Sequence, residues 1–334
     1  MNKTAKIILI VLGAVVLLWG IAKIRQVVMR PVIHKQTRFL MDTYCTIQAL
    51  GPQKATLDAI AAALDRMEEI DKKFNVLNPQ SPLYAFNNAN TPISDSEAVY
   101  VVEAALSFCH EEKAMFDITL FPLSKVWGFY SGDSMHIPDS AAVTNALSKS
   151  GVDKIAVVNH QIVKRDTGVK IDLGGVAKGY GIREAVSVLR AKGVTSALVD
   201  GGGQVYALGT IMGKPWKVGI RNPRGDGVIG ILKLTNASIA TSGDYERFFI
   251  QNGVRYCHLI DPSTGYPAHG FIAVSDINAD PFLSDAWSKL FVLGPERLAK
   301  VLEHHPEIQI ISISSSGVIS YSNGLKKNLE ILAK

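Results

Sequence analysis

The sequence predicts an α+β fold: a single large two-lobed domain with mostly antiparallel sheets and flanking helices, preceded by an N-terminal transmembrane helix. Three observations lead there. Apolar residues make up 47% of the 334 residues and charged residues 19%, which is enough to bury a substantial core and unlike a disordered, collagenous or coiled-coil chain. Amphipathic helical patterns crowd the first half, and short β-rich runs separated by Asn, Gly and Ser turns crowd the second. Helices and strands therefore do not alternate as they would around a parallel sheet. Finally, residues 7–22 (IILIVLGAVVLLWGIA) are an unbroken apolar run.

That run would form a helix about 24 Å long, slightly under the ~30 Å hydrocarbon core of a bilayer, with Lys6 and Lys23 placed to snorkel. It reads as an uncleaved anchor over residues 1–23, followed by a linker over 24–36 and a domain over 37–334. The net charge of +5 (35 Lys and Arg against 30 Asp and Glu) lies entirely in the first 30 residues, which hold Lys3, Lys6, Lys23, Arg25 and Arg30 and no acid. The rest of the chain is charge-balanced, which argues against a nucleic-acid partner, since such a protein carries its excess charge on the folded body. Three of the five flanking charges follow the apolar run, so charge alone favours the opposite orientation to an exported body.

After the linker, TRFLMDTYCTIQAL alternates as a strand. ATLDAIAAALDRMEEIDKKF then places Leu57, Ile60, Ala61, Leu64, Met67 and Phe74 near one helical face. Residues 75–96, rich in Asn, Pro and Ser, read as a loop, and the Ser94/Glu97 spacing predicts a capping box opening a helix through about Ala114. DSAAVTNALSKS predicts a third, shorter helix. The runs IAVVNHQIVKR, KVGIRNP, GILKLTNASIA, RFFIQNGVRYCHLI and IISISSSGVISYS predict antiparallel hairpins, interrupted by helices from about Val176 and Pro295. Cys45, Cys109 and Cys257 are widely spaced and odd in number, which excludes a disulfide framework and predicts buried thiols.

IDLGGVAKGYG (residues 171–181) reads as a strand ending in two glycines before a helix that carries Lys178 in its first turn. Such a segment suits a phosphate: the backbone can approach closely, free N–H groups point outward and the ammonium adds charge. An ordinary tight turn has the same appearance. A second glycine cluster, DGGGQVYALG (200–209), adds another place for close backbone approach. TSGDYERFF (241–249) and YCHLIDPSTGYPA (256–268) set hydroxyls, acids and His258 on loops beside strands, with Asp261 as a candidate partner to orient the imidazole. Asp285, alone, reads as an N-cap or as an i,i+4 partner of Lys289. Asp117 is equally open, and Phe116, Trp127 and Phe129 read as core.

In order and spacing, FDITLFPLSKVWGF, IDLGGVAKGYG, VDGGGQVYALG, TSGDYERFF, HLIDPSTGYP and SDAWSKLFVLG resemble the FAD:protein FMN transferase (ApbE-type) family over residues 39 to about 294. LMDTYCTI and the Ser81, Leu83, Asn87 pattern are similar to its earlier motifs. The resemblance implies that Met41 and the Ser81 to Tyr84 region border the isoalloxazine ring and that Asp117 contacts the flavin nucleotide. Lys178, Gly179 and Tyr180 would line the pyrophosphate, Thr241, Ser242 and Gly243 would hold the nucleotide with Leu259 beside it, and His258 would be the general base. It further implies a magnesium ion held by the carbonyl of Ala177, by Asp285 and by a threonine that is here Lys289. An ammonium has no lone pair to offer a metal, and it could instead occupy the cation site with one positive charge. Ser263 stands where the family usually has arginine.

The implied activity is transfer of the FMN half of FAD to a Thr or Ser hydroxyl of an acceptor flavoprotein, with release of AMP. FAD binding without transfer, and hydrolysis of FAD to FMN and AMP, would use the same residues. The implied location is the bacterial cytoplasmic membrane, attached through the N-terminal helix, with the domain on the outer (periplasmic or extracellular) face.

Overall fold

The computed structural model describes residues 12, 13, 15, 17, 19, 20, 32–111, 115–130 and 134–332. The chain first forms a hairpin, β1 (Val32–Leu40) and β2 (Thr43–Gly51), whose two-residue turn puts Met41 and Asp42 at φ 53° and 59°. The single strand expected over 37–50 is therefore two strands. β1 also begins inside the segment that reads as a linker.

Helix α1 (Gln53–Phe74) follows, burying Ala59, Ile60, Ala63, Leu64, Met67 and Ile70 on one face. α2 (Pro82–Ala89) lies inside the segment expected to be a loop, and its N-cap is Ser81, whose hydroxyl accepts from the Leu83 N–H. α3 (Ser96–Glu111) starts as expected, but Asp95 rather than Ser94 receives the Ala98 N–H. Glu97 is drawn away from any capping role by Arg66, Lys73 and Tyr180. Short helices α4 (Phe121–Val126) and α5 (Ser140–Ser148) and the hairpin of β3 (Ile155–Val158) and β4 (Gln161–Lys164) complete this half.

Helix α6 (Ala177–Ala191) leads into β5 (Ala197–Asp200), β6 (Gln204–Leu208), β7 (Trp216–Arg221), β8 (Val228–Leu234) and β9 (Ala237–Gly243). The hairpin of β10 (Phe248–Gln251) and β11 (Val254–Cys257) precedes β12 (Phe271–Asn278). Helices α7 (Pro281–Ser288) and α8 (Gly294–His304), then β13 (Gln309–Ser314), β14 (Ile319–Tyr321) and β15 (Leu329–Ile331), close the described chain.

Eight strands form one sheet in the order β1-β2-β5-β6-β9-β12-β13-β14, every neighbouring pair antiparallel. The expected mostly antiparallel α+β domain is thus found. α1 and α6 cover β1, β2 and β5 with Ile47, Leu64, Met67, Ile182 and Leu189 in the layer between. The smaller sheet β15-β8-β7 covers the opposite face through Trp216, Leu232, Ile272 and Ile311. Cys45, Cys109 and Cys257 are free and buried, as expected.

Of the apolar run, Leu12, Gly13, Val15, Leu17, Trp19 and Gly20 are described and are helical. Among the described residues no helix is long and apolar enough to cross a membrane. The expected anchor otherwise lies outside the described residues, as does the linker up to Pro31.

Candidate functional site

The antiparallel order brings the Met41–Asp42 turn, the Gly201–Gly203 turn and the end of β9 to one end of the large sheet. A cavity of about 580 Å3 opens there, walled further by Asp117, Ala177, Lys178, His258, Leu259 and Lys289. Of the expected ligand contacts, Met41, Asp117, Lys178, Thr241, Ser242, Gly243, Leu259, His258, Ala177, Asp285 and Lys289 all border it.

Ser81, Tyr84, Gly179 and Tyr180 do not. Ser81 is buried and bonded to the Lys73 carbonyl (2.6 Å) as well as to the Leu83 N–H. Tyr84 sits half-buried on α2. Tyr180 points the other way, donating to Glu97 at 2.9 Å and packing edge-on to Phe74. Gly179 is where α6 meets α7: a Cβ there would collide with Pro281 and Phe282 backbone atoms.

The Ser81, Leu83, Asn87 pattern serves the site from behind. Asn87 clamps the backbone of Ile171 in both directions, its amide donating to the carbonyl at 2.8 Å and its Oδ1 accepting the N–H at 2.8 Å. Residues 169–173 are consequently held as irregular chain, not the expected strand, with the Asp172 N–H on the Ile118 carbonyl at 2.8 Å, and 174–176 form a turn into the helix. This fixes where α6 begins.

No side chain of its own segment caps α6, and its first turn contains no acid. The carboxylate of Asp285 arrives from α7 and accepts the Gly179 N–H at 3.0 Å. α7 is capped separately by Asp280. Asp285 is therefore a helix cap, as one sequence reading allows, but for a different helix. Its other oxygen takes Lys289 at 2.9 Å, the expected i,i+4 pair. Lys178, beside that helix start, has no hydrogen-bond or ion-pair partner among the described residues. A helix N-terminus with an unspent ammonium attracts anions.

His258 follows β11. Its ring Nδ1 lies 3.3 Å from the Arg247 carbonyl, which can only accept, so the proton is on Nδ1 and Nε2 keeps its lone pair. Burial, reinforced by the charges of Arg247, Lys178 and Lys289, pushes its pKa down to about 3. The imidazole is neutral at physiological pH. Asp261 does not orient it: that carboxylate accepts from Ser263 and pairs with Arg297 at 3.2 Å. The guanidinium at this turn thus comes from α8, where Ser263 leaves none.

Around the rest of the cavity, Asp117 accepts from the Thr119 N–H and hydroxyl at 2.7 and 2.5 Å. Burial raises its pKa, and those bonds oppose the rise. Several lining groups carried no sequence signal. Asp71 holds the Met41 N–H at 2.9 Å, Tyr130 donates to Asp172, and Arg247 spans to the Phe129 carbonyl (2.9 Å) and Asp42 (3.6 Å).

The implied magnesium does not fit these residues. Both oxygens of Asp285 are already bonded, one to the Gly179 N–H and one to the Lys289 ammonium. Mg2+ needs several oxygen donors at about 2.0–2.1 Å, and Lys289 presents a cation instead. Among the described residues no group of three or more His, Cys, Asp and Glu could hold a metal.

Fold and site together define a class: an α+β protein whose cavity is lined both by the start of a helix carrying Lys178 and by a neutral imidazole. The model of the ApbE family matches residues 41–312. A FAD:protein FMN transferase of Treponema pallidum is 29% identical over 329 residues, covering 90% of this chain and 89% of that protein. One from Klebsiella pneumoniae is 30% identical over 277 residues, covering 78% and 79%. The crystal structure of the ApbE protein of Thermotoga maritima superposes with a TM-score of 0.83 at 32% identity, covering 89% of this chain and 99% of that one. The chain belongs to the ApbE family.

Proposed function

We infer that this protein transfers the FMN half of FAD to a hydroxyl of an acceptor flavoprotein. The observation that carries the reading is that Lys178 at the start of α6, without a partner among the described residues, shares a cavity with a neutral His258 whose Nε2 keeps its lone pair. The acceptor oxygen attacks the phosphorus of the riboflavin phosphate and its proton passes to Nε2. The bond from that phosphorus to the bridging pyrophosphate oxygen breaks, and AMP leaves with the electron pair. Phosphoryl-type transfer depends mainly on positioning and charge neutralisation. Lys178, Lys289 and the α6 terminus supply positive potential where the pyrophosphate would lie, while Thr241 and Met41 border the nucleotide and ring. A bound pyrophosphate would offset the three cationic charges that depress His258, making it a stronger base once substrate is present.

The reading attaches the chain to the cytoplasmic membrane through residues 1–23, for which the apolar run over 7–22 is the support, and puts the domain on the outer face, against the bias of the flanking charges. The test of the activity is to incubate the protein with FAD and an acceptor flavin domain bearing a Thr or Ser target. Stoichiometric AMP and acceptor fluorescence that survives denaturing electrophoresis are expected. Unchanged FAD, with no covalent flavin on the acceptor, would overturn it, and AMP without labelled acceptor would assign hydrolysis instead.

A further inference from the structure

We propose that the Lys289 ammonium is the resident cation of this site, built into the chain in place of a divalent metal. The inference rests on the flavin-transfer reading for what the cation serves, and on geometry for its existence. Nζ of Lys289 donates to three oxygens: Oδ1 of Asp285 at 2.9 Å, the Asp285 carbonyl at 2.9 Å and Oγ of Ser288 at 3.1 Å. An ammonium has three N–H donors, so all three are used.

Every oxygen is itself held. Asp285 is 2% exposed and its second oxygen is fixed by the Gly179 N–H, while the Ser288 hydroxyl also lies 2.8 Å from that of Ser242. Only 13% of the Lys289 side chain reaches solvent, and it borders the cavity on the same side as Lys178. The lysine tip packs by Gly175, where a Cβ would stand 3.5 Å from its Cε. A mobile surface lysine makes no such set of contacts. This one is a fixed positive point at the α6 terminus, tied to the helix through a single bridging carboxylate.

The chemical consequence is a site loaded by its own sequence. A metal site of carboxylate and hydroxyl oxygens stands empty until an ion arrives, and a chelator empties it again. Here the charge arrives with folding, and the ammonium carries one positive charge rather than two. FAD binding should therefore be indifferent to both Mg2+ and EDTA.

The experiment measures FAD affinity by flavin fluorescence, Mg2+ binding by titration calorimetry, and acceptor labelling separately. For the unaltered protein the expected results are no Mg2+ heat, no Mg2+-dependent shift in Tm, and the same Kd for FAD with EDTA as with Mg2+. Lys289→Thr replaces the ammonium with an oxygen and should gain Mg2+ binding together with Mg2+-dependent FAD affinity. Lys289→Met should weaken FAD binding about 10- to 100-fold, with no rescue by Mg2+, as expected for loss of one positive charge beside the pyrophosphate. Lys289→Arg keeps the charge and should lose less.

Mg2+ binding by the unaltered protein, loss of its FAD affinity in EDTA, or full FAD affinity in a folded Lys289→Met variant would each overturn the proposal. EDTA-resistant FAD binding without acceptor labelling would sustain the cation and remove the transfer reading, so the two failures are separable.

Discussion

His258 owes its state to what surrounds it rather than to its own segment. The residue that looks like its orienting acid, Asp261, is engaged with Ser263 and Arg297, and a main-chain carbonyl takes that role. A carbonyl fixes the tautomer without adding negative charge, so only that one hydrogen bond raises the imidazole pKa, and burial and the three cations outweigh it. The folded pKa, about 3, lies below the ordinary value of 6.5. Proton binding therefore favours the unfolded chain, and stability from this residue is complete above 6.5 and lost as pH falls toward 3. For the reaction, kcat/KM for FAD should stay flat as pH drops from 8 through 6.5, where an ordinary histidine would switch off. His258→Ala should lower kcat by about 10^2- to 10^4-fold, the usual contribution of a general base, while leaving the Kd for FAD within a few fold. Stopped-flow AMP release against fluorescence binding reads both, and a loss confined to binding would remove His258 from the proton-transfer step.

At the scale of elements, the site depends on how closely α6 approaches α7. Gly179 permits the contact, since a Cβ would stand 2.8 Å from Asp285 Cβ and 2.9 Å from Phe282 Cα. The obstacle is backbone, which cannot rotate away. Gly179→Ala should cost about 1–3 kcal/mol by overpacking, and about 2–4 °C of Tm for each kcal/mol in a domain of this size. Because the same shift would pull Asp285 from the Gly179 N–H, FAD affinity should fall as well. Differential scanning fluorimetry with and without FAD separates the two effects, and a variant as stable as the parent would show that the helices have room.

This contact also marks the limit of the sequence reading. The hairpins at Asn159–His160 and Asn252–Gly253 are legible because Asn and Gly accept the positive φ that such turns need. Met41 in the same conformation has no turn signature, so β1 and β2 merge into one expected strand. α2 is too short for periodicity to reveal. It is stabilised by the Ser81 cap and by the Asn87 clamp on Ile171, 84 residues away. The glycine motif announces a close backbone approach, but only the fold says that Gly179 approaches a helix. Asp71, Tyr130 and Arg247 enter the site through tertiary contacts alone, and no local pattern distinguishes them.

Across the whole molecule, the sheet that assembles the site also carries a cost unrelated to the cavity. Asp276, on central strand β12, is 0% exposed, and neither carboxyl oxygen lies within hydrogen-bond distance of a partner among the described residues. The nearby Ser284 hydroxyl donates to the Asp276 main-chain carbonyl at 3.0 Å and offsets the burial of the carboxyl only in small part. Burial raises its pKa well above 3.8. The native state therefore holds a proton that the unfolded state releases above that value, and this residue's contribution worsens as pH rises from about 4. His258 acts in the opposite direction as pH falls below 6.5. The two linkages should set a stability maximum on the acid side of neutrality. Asp276→Val removes one of them and puts a β-branched apolar side chain of similar size, well suited to a strand, between β12 and α7. It should raise stability by about 1–3 kcal/mol at pH 8, the scale of an unsatisfied buried polar group, with the gain shrinking toward pH 4 and the optimum moving to higher pH. Urea melts of parent and variant from pH 4 to 8 would measure this, and a loss of stability at pH 8 would mean that Asp276 has a partner which the described residues do not provide.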